Sequence, residues 1–225
     1  MEELTLIIPA KREAESLPSV LEELKKFNVK KKVILQEDDI DTIKSIQNFD
    51  CEIIYQTGKG YGNALKDGLN KVETKYFCIF NADGSFNPNE LKNMVNLIED
   101  PQLNKDVIFA SRYEKNSSSE DDTLLTFIGN KIFTLLGKIF FNLEITDILY
   151  TFVLGKTEKC QKLNLVSNDF CFCVELPIKA KRNNLNLGTS KSHERRRIGG
   201  KKKVNEFKDG FIIMTYLIKL FFLKK

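Results

Sequence analysis

Residues 76–88 read YFCIFNADGSFNP, and the fold turns on this stretch. Tyr76 to Phe80 is a short, unbroken apolar run, as expected of a strand covered on both faces. It gives way to a polar loop, Asn81 to Asn87, and Pro88 then opens a helix through Leu97 with Asn87 as its cap. A buried strand ending in closely spaced oxygen side chains presents them at the edge of its sheet. Here these are Asn81, Asp83 and Ser85, a set suited to Mg2+ or Mn2+, hard cations that prefer oxygen and often bridge to substrate phosphates. Asp83 is the single carboxylate among them. Asn-x-Asp-Gly is also good turn chemistry, so the stretch alone reads equally as a plain strand-to-helix turn.

Similar units lie on both sides. Leu4 to Pro9 (LTLIIP) predicts a first strand, and Ser16 to Phe27 a helix with Leu17, Val20, Leu21 and Leu24 at helical spacing. Strands are expected at Val33 to Leu35, Glu52 to Tyr55 and Asp106 to Ala110, with helices at Thr42 to Gln47 and Gly62 to Val72. This alternation predicts an α/β fold: a mostly parallel central sheet with helices on both faces. Ligands of such sheets bind beyond the carboxyl ends of the strands. The residues to watch are therefore Lys11 to Glu13, Gln36 to Asp39, Gln56 to Lys59, Asn81 to Ser85, and Ser111 to Tyr113.

Further on, Asn116 to Asp122 reads as a surface loop and Thr123 to Phe141 as a long helix. An extended piece is expected at Thr151 to Leu154. Phe172 to Ala180 looks helical, with Pro177 working against that reading. Residues 1–204 form the main domain and 205–225 an apolar C-terminal helix. Its stretch Phe211 to Leu223 is shorter than the roughly 20 residues that span a bilayer, and Lys219 interrupts it. It is expected to lie at a membrane surface or against a partner, the alternative being a helix folded back onto the domain.

With 225 residues, 42% hydrophobic and 29% charged, the chain is long enough for one well-packed domain and is not composed like a disordered one. The net charge is only +4, but basic residues crowd Arg195 to Lys203 and the C-terminus. That favours an anionic partner, a diphosphate or a lipid surface; nucleic acid is not expected. The five cysteines form no C-x-x-C pair, which indicates neither a disulfide framework nor a zinc site, and a reducing cytosol fits. The polar start Met1-Glu2-Glu3 suggests no signal peptide. His193 lies among polar and charged residues and is expected at the surface near the phosphates, not as a base.

Gly58, Gly60 and Gly62, with Lys59 among them, open a helix and suit close backbone approach to a ligand, although the spacing is not that of a P-loop. Together these segments resemble family 2 glycosyltransferases, in particular the polyprenyl-phosphate sugar synthase branch. The matching pieces run in order along nearly the whole chain: Pro9-Ala10-Lys11-Arg12-Glu13, Glu37-Asp38-Asp39, Gly58 to Ala64, Asn81-Ala82-Asp83, Ala110-Ser111-Arg112-Tyr113, Gly129-Asn130, Thr146-Asp147, and Arg196 to Lys203. The resemblance implies a GT-A fold and a nucleotide-sugar donor, a UDP- or GDP-sugar. It implies that Pro9, Ala10 and Glu13 line the nucleoside pocket with Glu37 near the base. Asn81, Ala82 and Asp83 would flank ribose and metal, while Lys59, Arg112 and Arg196 would serve the donor. Asp147 and Arg112 are the expected catalytic residues, with Asp147 on the acceptor side; Asp83, Asn81 and Ser85 are the expected metal ligands. The acceptor implied is polyprenyl phosphate or a growing glycan, at the cytoplasmic face of a membrane.

The sequence departs from the family pattern at Asn81, where an aspartate is usual, at Arg12, and at Thr151 and Val153, where glycine and arginine are expected. Two other readings remain open. Ile7 to Ala10 also suits a sugar nucleotidyltransferase, though Lys11 to Glu15 lacks the glycines of that class. A catalytically weakened nucleotide-binding scaffold is the other.

Overall fold

The computed structural model describes residues 1–199 and 203–223. The first half is a run of strand–helix units: β1 (Leu4–Pro9), α1 (Leu17–Leu24), β2 (Lys30–Leu35), α2 (Ile40–Ile46), β3 (Glu52–Tyr55), α3 (Tyr61–Asn70), β4 (Tyr76–Ile79) and α4 (Glu90–Glu99). The second half is less regular. It holds β5 (Val107–Ser111), β6 (Ser118–Ser119), α5 (Leu124–Phe141), β7 (Val153–Lys156), α6 (Thr157–Gln161), α7 (Phe172–Arg182), β8 (Leu187–Lys191), β9 (His193–Glu194) and α8 (Glu206–Phe222).

The main sheet has the order β3-β2-β1-β4-β7-β5-β8. β7 is antiparallel to both its neighbours, and every other pairing in this sheet is parallel. The carboxyl ends of β1 to β5 and of β8 therefore share one edge. Alternation along β1 builds two cores. Leu4, Leu6 and Ile8 pack with Val20, Leu21 and Leu24 of α1 and Leu91 and Met94 of α4, while Ile7 turns to Leu65 and Leu69 of α3 on the other face. Each such side chain contributes about 1.5–3 kcal/mol when fully buried.

The structure adjusts several expected boundaries. β2 begins at Lys30, before its apolar part, because its backbone pairs with β1 from Thr5 opposite Lys30. The Lys32 stem is buried and its ammonium bonds Glu52 on the next strand. α4 starts at Glu90, not Pro88. Asn87 shapes the turn before it, its side chain accepting from the Asn89 amide at 3.1 Å. Pro177 sits inside α7 without ending it. The lost bond and ring clash cost ~3 kcal/mol, which the burial of Val174, Leu176 and Ile178 outweighs. α6, β6, β8 and β9 were not expected; β6 lies in the stretch Asn116 to Asp122 read as a loop, where it pairs with β9. β8 reads as Leu-Gly-Thr-Ser-Lys, with few apolar residues, because it is an edge strand with partly exposed faces.

α8 packs Ile213, Leu217 and Leu220 inward, in contact with α5 and α7. The expectations placed on Gly200, Lys201, Lys202, Lys224 and Lys225 lie outside the described residues.

Candidate active site

β1 and β4 are adjacent, so the loops after them are neighbours at the common edge. After β1, the Ala10 amide bonds the Ile34 carbonyl at 2.9 Å, which fixes Pro9 and Ala10 against β2. Arg12 takes a left-handed conformation with φ of 56°, and its amide bonds the Asp39 carboxylate at 2.6 Å. Glu13 is mostly buried. It accepts from the Ser16 hydroxyl at 2.7 Å and faces Lys203 at 3.3 Å. Glu37 is exposed at the end of β2.

After β4, Ala82 is buried in the core and anchors the loop. One Asp83 oxygen accepts from both the amide (3.0 Å) and the hydroxyl (2.7 Å) of Ser85. Ser85 is itself buried, so its hydroxyl holds Asp83 in place. The other Asp83 oxygen faces Arg197 at 3.8 Å. Asn81 Oδ1 lies 3.4 Å from the Tyr61 hydroxyl, which also meets Thr151 Oγ1 at 2.7 Å. Tyr61 stacks on Phe170, and burial pushes its phenol well above the ordinary range, keeping it neutral.

The basic segment beyond β9 is stitched to the same loop. The Arg195 amide bonds the Ser85 carbonyl and the Ile198 amide bonds the Asp83 carbonyl, both at 2.8 Å. Gly84, at φ of 82°, leaves room for Ile198, whose side chain would lie 2.5 Å from a Cβ there. Alternate arginines face inward. Arg195 pairs with Glu23 and the Phe86 carbonyl, and Arg197 with Asp121 at 2.6 Å and with Asp83. Arg196 is exposed. The residue of this run that meets Asp83 is therefore Arg197, and Glu13 meets Lys203. Two-residue alternation through the run was the signal available for Arg197.

Two glycines, in the loop after β3 and at the start of α3, serve close packing within the fold. Gly60, at φ of 106°, would place a Cβ 2.1 Å from the Asn168 carbonyl oxygen, and one on Gly62 would come within 2.5 Å of that of Ser167. These glycines let the start of α3 press against the 167–169 backbone. Gly58 is tied to Asn63 and Gln36, and Lys59 is exposed.

Beyond β5 lies a second charged centre. Arg112 grips Asp147 through Nε (2.8 Å), Nη2 (3.0 Å) and its amide (3.2 Å), and reaches Glu194 at 3.2 Å. Its guanidinium packs over Tyr150, 4.6 Å from the ring centre. The Asn130 carboxamide completes the cluster, its oxygen 2.6 Å from Arg112 Nη2 and its nitrogen 3.2 Å from Asp147 Oδ1. Burial alone would lower the Arg112 pKa, but Asp147 and Glu194 outweigh it and hold the charge firmly. Burial pushes Glu194 up from the ordinary carboxylate range, with Arg112 opposing. The Asp147 side chain is 0% exposed, its two oxygens engaged by Arg112. Glu194 and Tyr150 are the members that the sequence reading did not single out, while Asn130 was matched to the family pattern without a role. His193 stands apart from Asp83, against Ser118 and Glu120.

Among the described residues, no group of three or more His, Cys, Asp and Glu forms a metal-binding set. Asp83 and Asn81 offer two oxygen donors on one loop, so a cation there would need further oxygens from its ligand.

The family model described as glycosyl transferase family 2 matches residues 5–163. No curated relative matches the sequence. Among solved structures, the chain resembles glucosyl-3-phosphoglycerate synthase from Mycobacterium tuberculosis in complex with Mn2+, uridine diphosphate and glucosyl-3-phosphoglycerate. The TM-score is 0.77 at 13% identity, covering 99% of this chain and 81% of that one. The same enzyme with Mn2+, uridine diphosphate and phosphoglyceric acid gives 0.74 at 14% identity, covering 99% and 79%. With Mg2+ and uridine diphosphate it gives 0.72 at 11% identity, covering 99% and 80%. At these identities the likeness concerns the fold, which is of the GT-A type.

Proposed function

The chain belongs to glycosyl transferase family 2, and on that premise we propose that it moves a sugar from a UDP- or GDP-sugar to an acceptor, in the first instance a polyprenyl phosphate, whose phosphate is the accepting group, and in the second a surface glycan. The observation that carries this reading is that the neighbouring loops after β1 and β4, at the edge where strand ends of a family 2 fold converge, carry Glu13, Asn81 and Asp83, with Lys203 set against Glu13 and Arg197 against Asp83.

Glu13 and the backbone after β1 would take the nucleoside. Asp83 and Asn81 would hold Mg2+ or Mn2+ together with the donor's phosphates, Ser85 keeping the carboxylate aimed. The oxygen donors suit such a hard ion. Its chemistry would be charge neutralisation on the diphosphate. Arg197 supplies a second positive charge to the same place. In the transfer, an acceptor oxygen bonds to the anomeric carbon from the side opposite the leaving group. The bond to the diphosphate breaks, and its electrons leave with the nucleoside diphosphate. Fixed cations help most where that charge develops.

Asp147 enters this reading as a positioning group. A carboxylate held at three points by Arg112 and shut from solvent is badly placed to take a proton. An acceptor phosphate is already anionic and needs no base. The similar synthase crystallised with phosphoglyceric acid supports a phosphate-bearing acceptor. The enzyme would work in the cytoplasm, peripheral at the inner face of the membrane, with α8 toward the lipid.

Thermal stabilisation by UDP-, GDP- and CDP-sugars with Mn2+ tests the reading, since a ligand that binds only the folded state raises its melting point. One nucleotide class should stabilise the protein, and Asp83→Ala should remove the Mn2+-dependent part together with turnover. Full activity in Asp83→Ala would remove the metal role. Stabilisation without turnover on any phosphate acceptor would favour the weakened scaffold, which Asn81 in place of a second carboxylate supports.

A further inference from the structure

α5 is 18 residues long, with a mean hydropathy of 1.5, yet only 17% of it is buried. Its outward residues Leu124, Ile128, Ile132, Leu135 and Ile139 follow one another at steps of four, four, three and four, which is a single helical stripe. Leu124 is 76% and Ile139 62% exposed. α8 repeats the pattern: Phe207, Phe211, Ile218 and Phe222 share one face, with Thr215 filling the remaining step. The two helices touch, and Phe221 packs edge-on against Phe140 at 5.3 Å. With Phe140 and Phe221 at their contact, the two helices leave many large apolar side chains exposed side by side, which in a soluble protein marks an interaction surface.

Both helices are fixed to the domain by their opposite sides. α5 buries Phe133 and Gly137 and lends Asn130 to the Arg112 cluster. Arg182 of α7 holds the Leu220 and Leu223 carbonyls at the end of α8. Neither helix can cross a bilayer without leaving the fold, but both can lie on one.

Charge decides the occupant. Exposed Lys131, Lys138, Lys208 and Lys219 accompany the stripes. From Leu124 to Asn142 the sequence has no acidic residue, and in α8 the two acids, Glu206 and Asp209, are confined to the first turn, with none from Gly210 onward. A second copy docking on this face would set lysine against lysine, whereas anionic headgroups would take all of them while the lysine stems extend along the apolar surface. We propose that α5 and α8 together form a monotopic docking platform for an anionic lipid bilayer, with α5 an equal contributor to α8. This adds α5 to the membrane contact suggested above and does not depend on the donor or the reaction.

Flotation of the full chain with vesicles of phosphatidylcholine alone, or of phosphatidylcholine with phosphatidylglycerol, tests the platform. The chain should float with the anionic vesicles and do so less as salt rises. Ile128→Glu with Ile132→Glu should weaken partition about tenfold or more, as should Phe211→Glu with Ile218→Glu. Lys131→Gln with Lys138→Gln should lose the preference for anionic vesicles. All these side chains are exposed, so melting temperatures should hold; if a glutamate pair unfolds, the glutamine pair and the salt series still decide. The proposal is overturned if the α5 variants float like the parent. It is equally overturned if the parent ignores both vesicles, and a dimer in light scattering that the same variants break would then identify a second copy as the occupant of this face. Nucleotide-sugar stabilisation of these variants, expected unchanged, keeps this outcome separate from that of the proposed activity.

Discussion

The two charged centres at the sheet edge are built in opposite ways. Around Asp83 the ion pair is loose: Ser85 fixes one carboxylate oxygen at 2.7 Å, but the other meets Arg197 only at 3.8 Å, and both charged side chains reach solvent. Around Arg112 the pair is tight, with a forked bond at 2.8 and 3.0 Å to a carboxylate that solvent does not touch. Groups that must exchange their protein partners for a ligand are held lightly. Groups that only set positions can be locked. The sharpest break of this comparison is Asp147→Ala. It leaves the Arg112 charge buried without its main partner and should destabilise the fold by roughly 3–5 kcal/mol. Asp83→Ala removes one hydroxyl and one amide bond near the surface and should cost about 1 kcal/mol. Chemical denaturation of both variants reads the difference directly. Equal losses would show that the two centres are alike and that Asp147 is not locked.

The next test separates two neighbouring arginines. Arg197 faces Asp83 while Arg196 is exposed, so Arg197→Ala should weaken nucleotide-sugar binding roughly tenfold to a hundredfold, the scale of a charged hydrogen bond. Arg196→Ala should change it little. Calorimetric titration with the stabilising nucleotide sugar compares them. The reverse order would mean that the segment turns over when ligand binds.

The first half of the fold was legible because each of its strands is a compact apolar run followed by a helix of regular period. Leu4–Pro9 and Glu52–Tyr55 match their expected bounds. The second half was harder for physical reasons. β8 is an edge strand of mixed polarity, and β9 is two residues long, so neither carries a period that can be read. The loop after β4 could be read as polar and oxygen-rich, but not that Ser85 would spend its hydroxyl on Asp83. Gly60 and Gly62 show how composition under-determines cause. A glycine needed for a ligand and one needed for a neighbouring carbonyl look the same in sequence, and only the 2.1 Å approach to Asn168 tells them apart. The outward stripe of α5 was visible in its spacing, yet an apolar stripe has the same period whether it faces the core or the solvent.

The finest test lies at Asn81, where the loosely held centre has one carboxylate fewer than its family pattern. Asn81 Oδ1 and Thr151 share the Tyr61 hydroxyl, which burial keeps protonated and so available as a donor. Asp at position 81 could keep that bond while adding a negative charge beside Asp83. Without a cation the two carboxylates repel, and the variant should be slightly less stable than the parent. With Mn2+ and nucleotide the same charge becomes favourable, and Asn81→Asp should tighten Mn2+ binding by about 1–2 kcal/mol, the Coulomb scale near a protein surface. Combining it with Asp83→Ala should erase most of that gain, because both act through one ion. Calorimetry on the two single variants and the double variant measures the coupling. Additive effects would place residue 81 outside the cation's reach and leave Tyr61 and Thr151 as its only business.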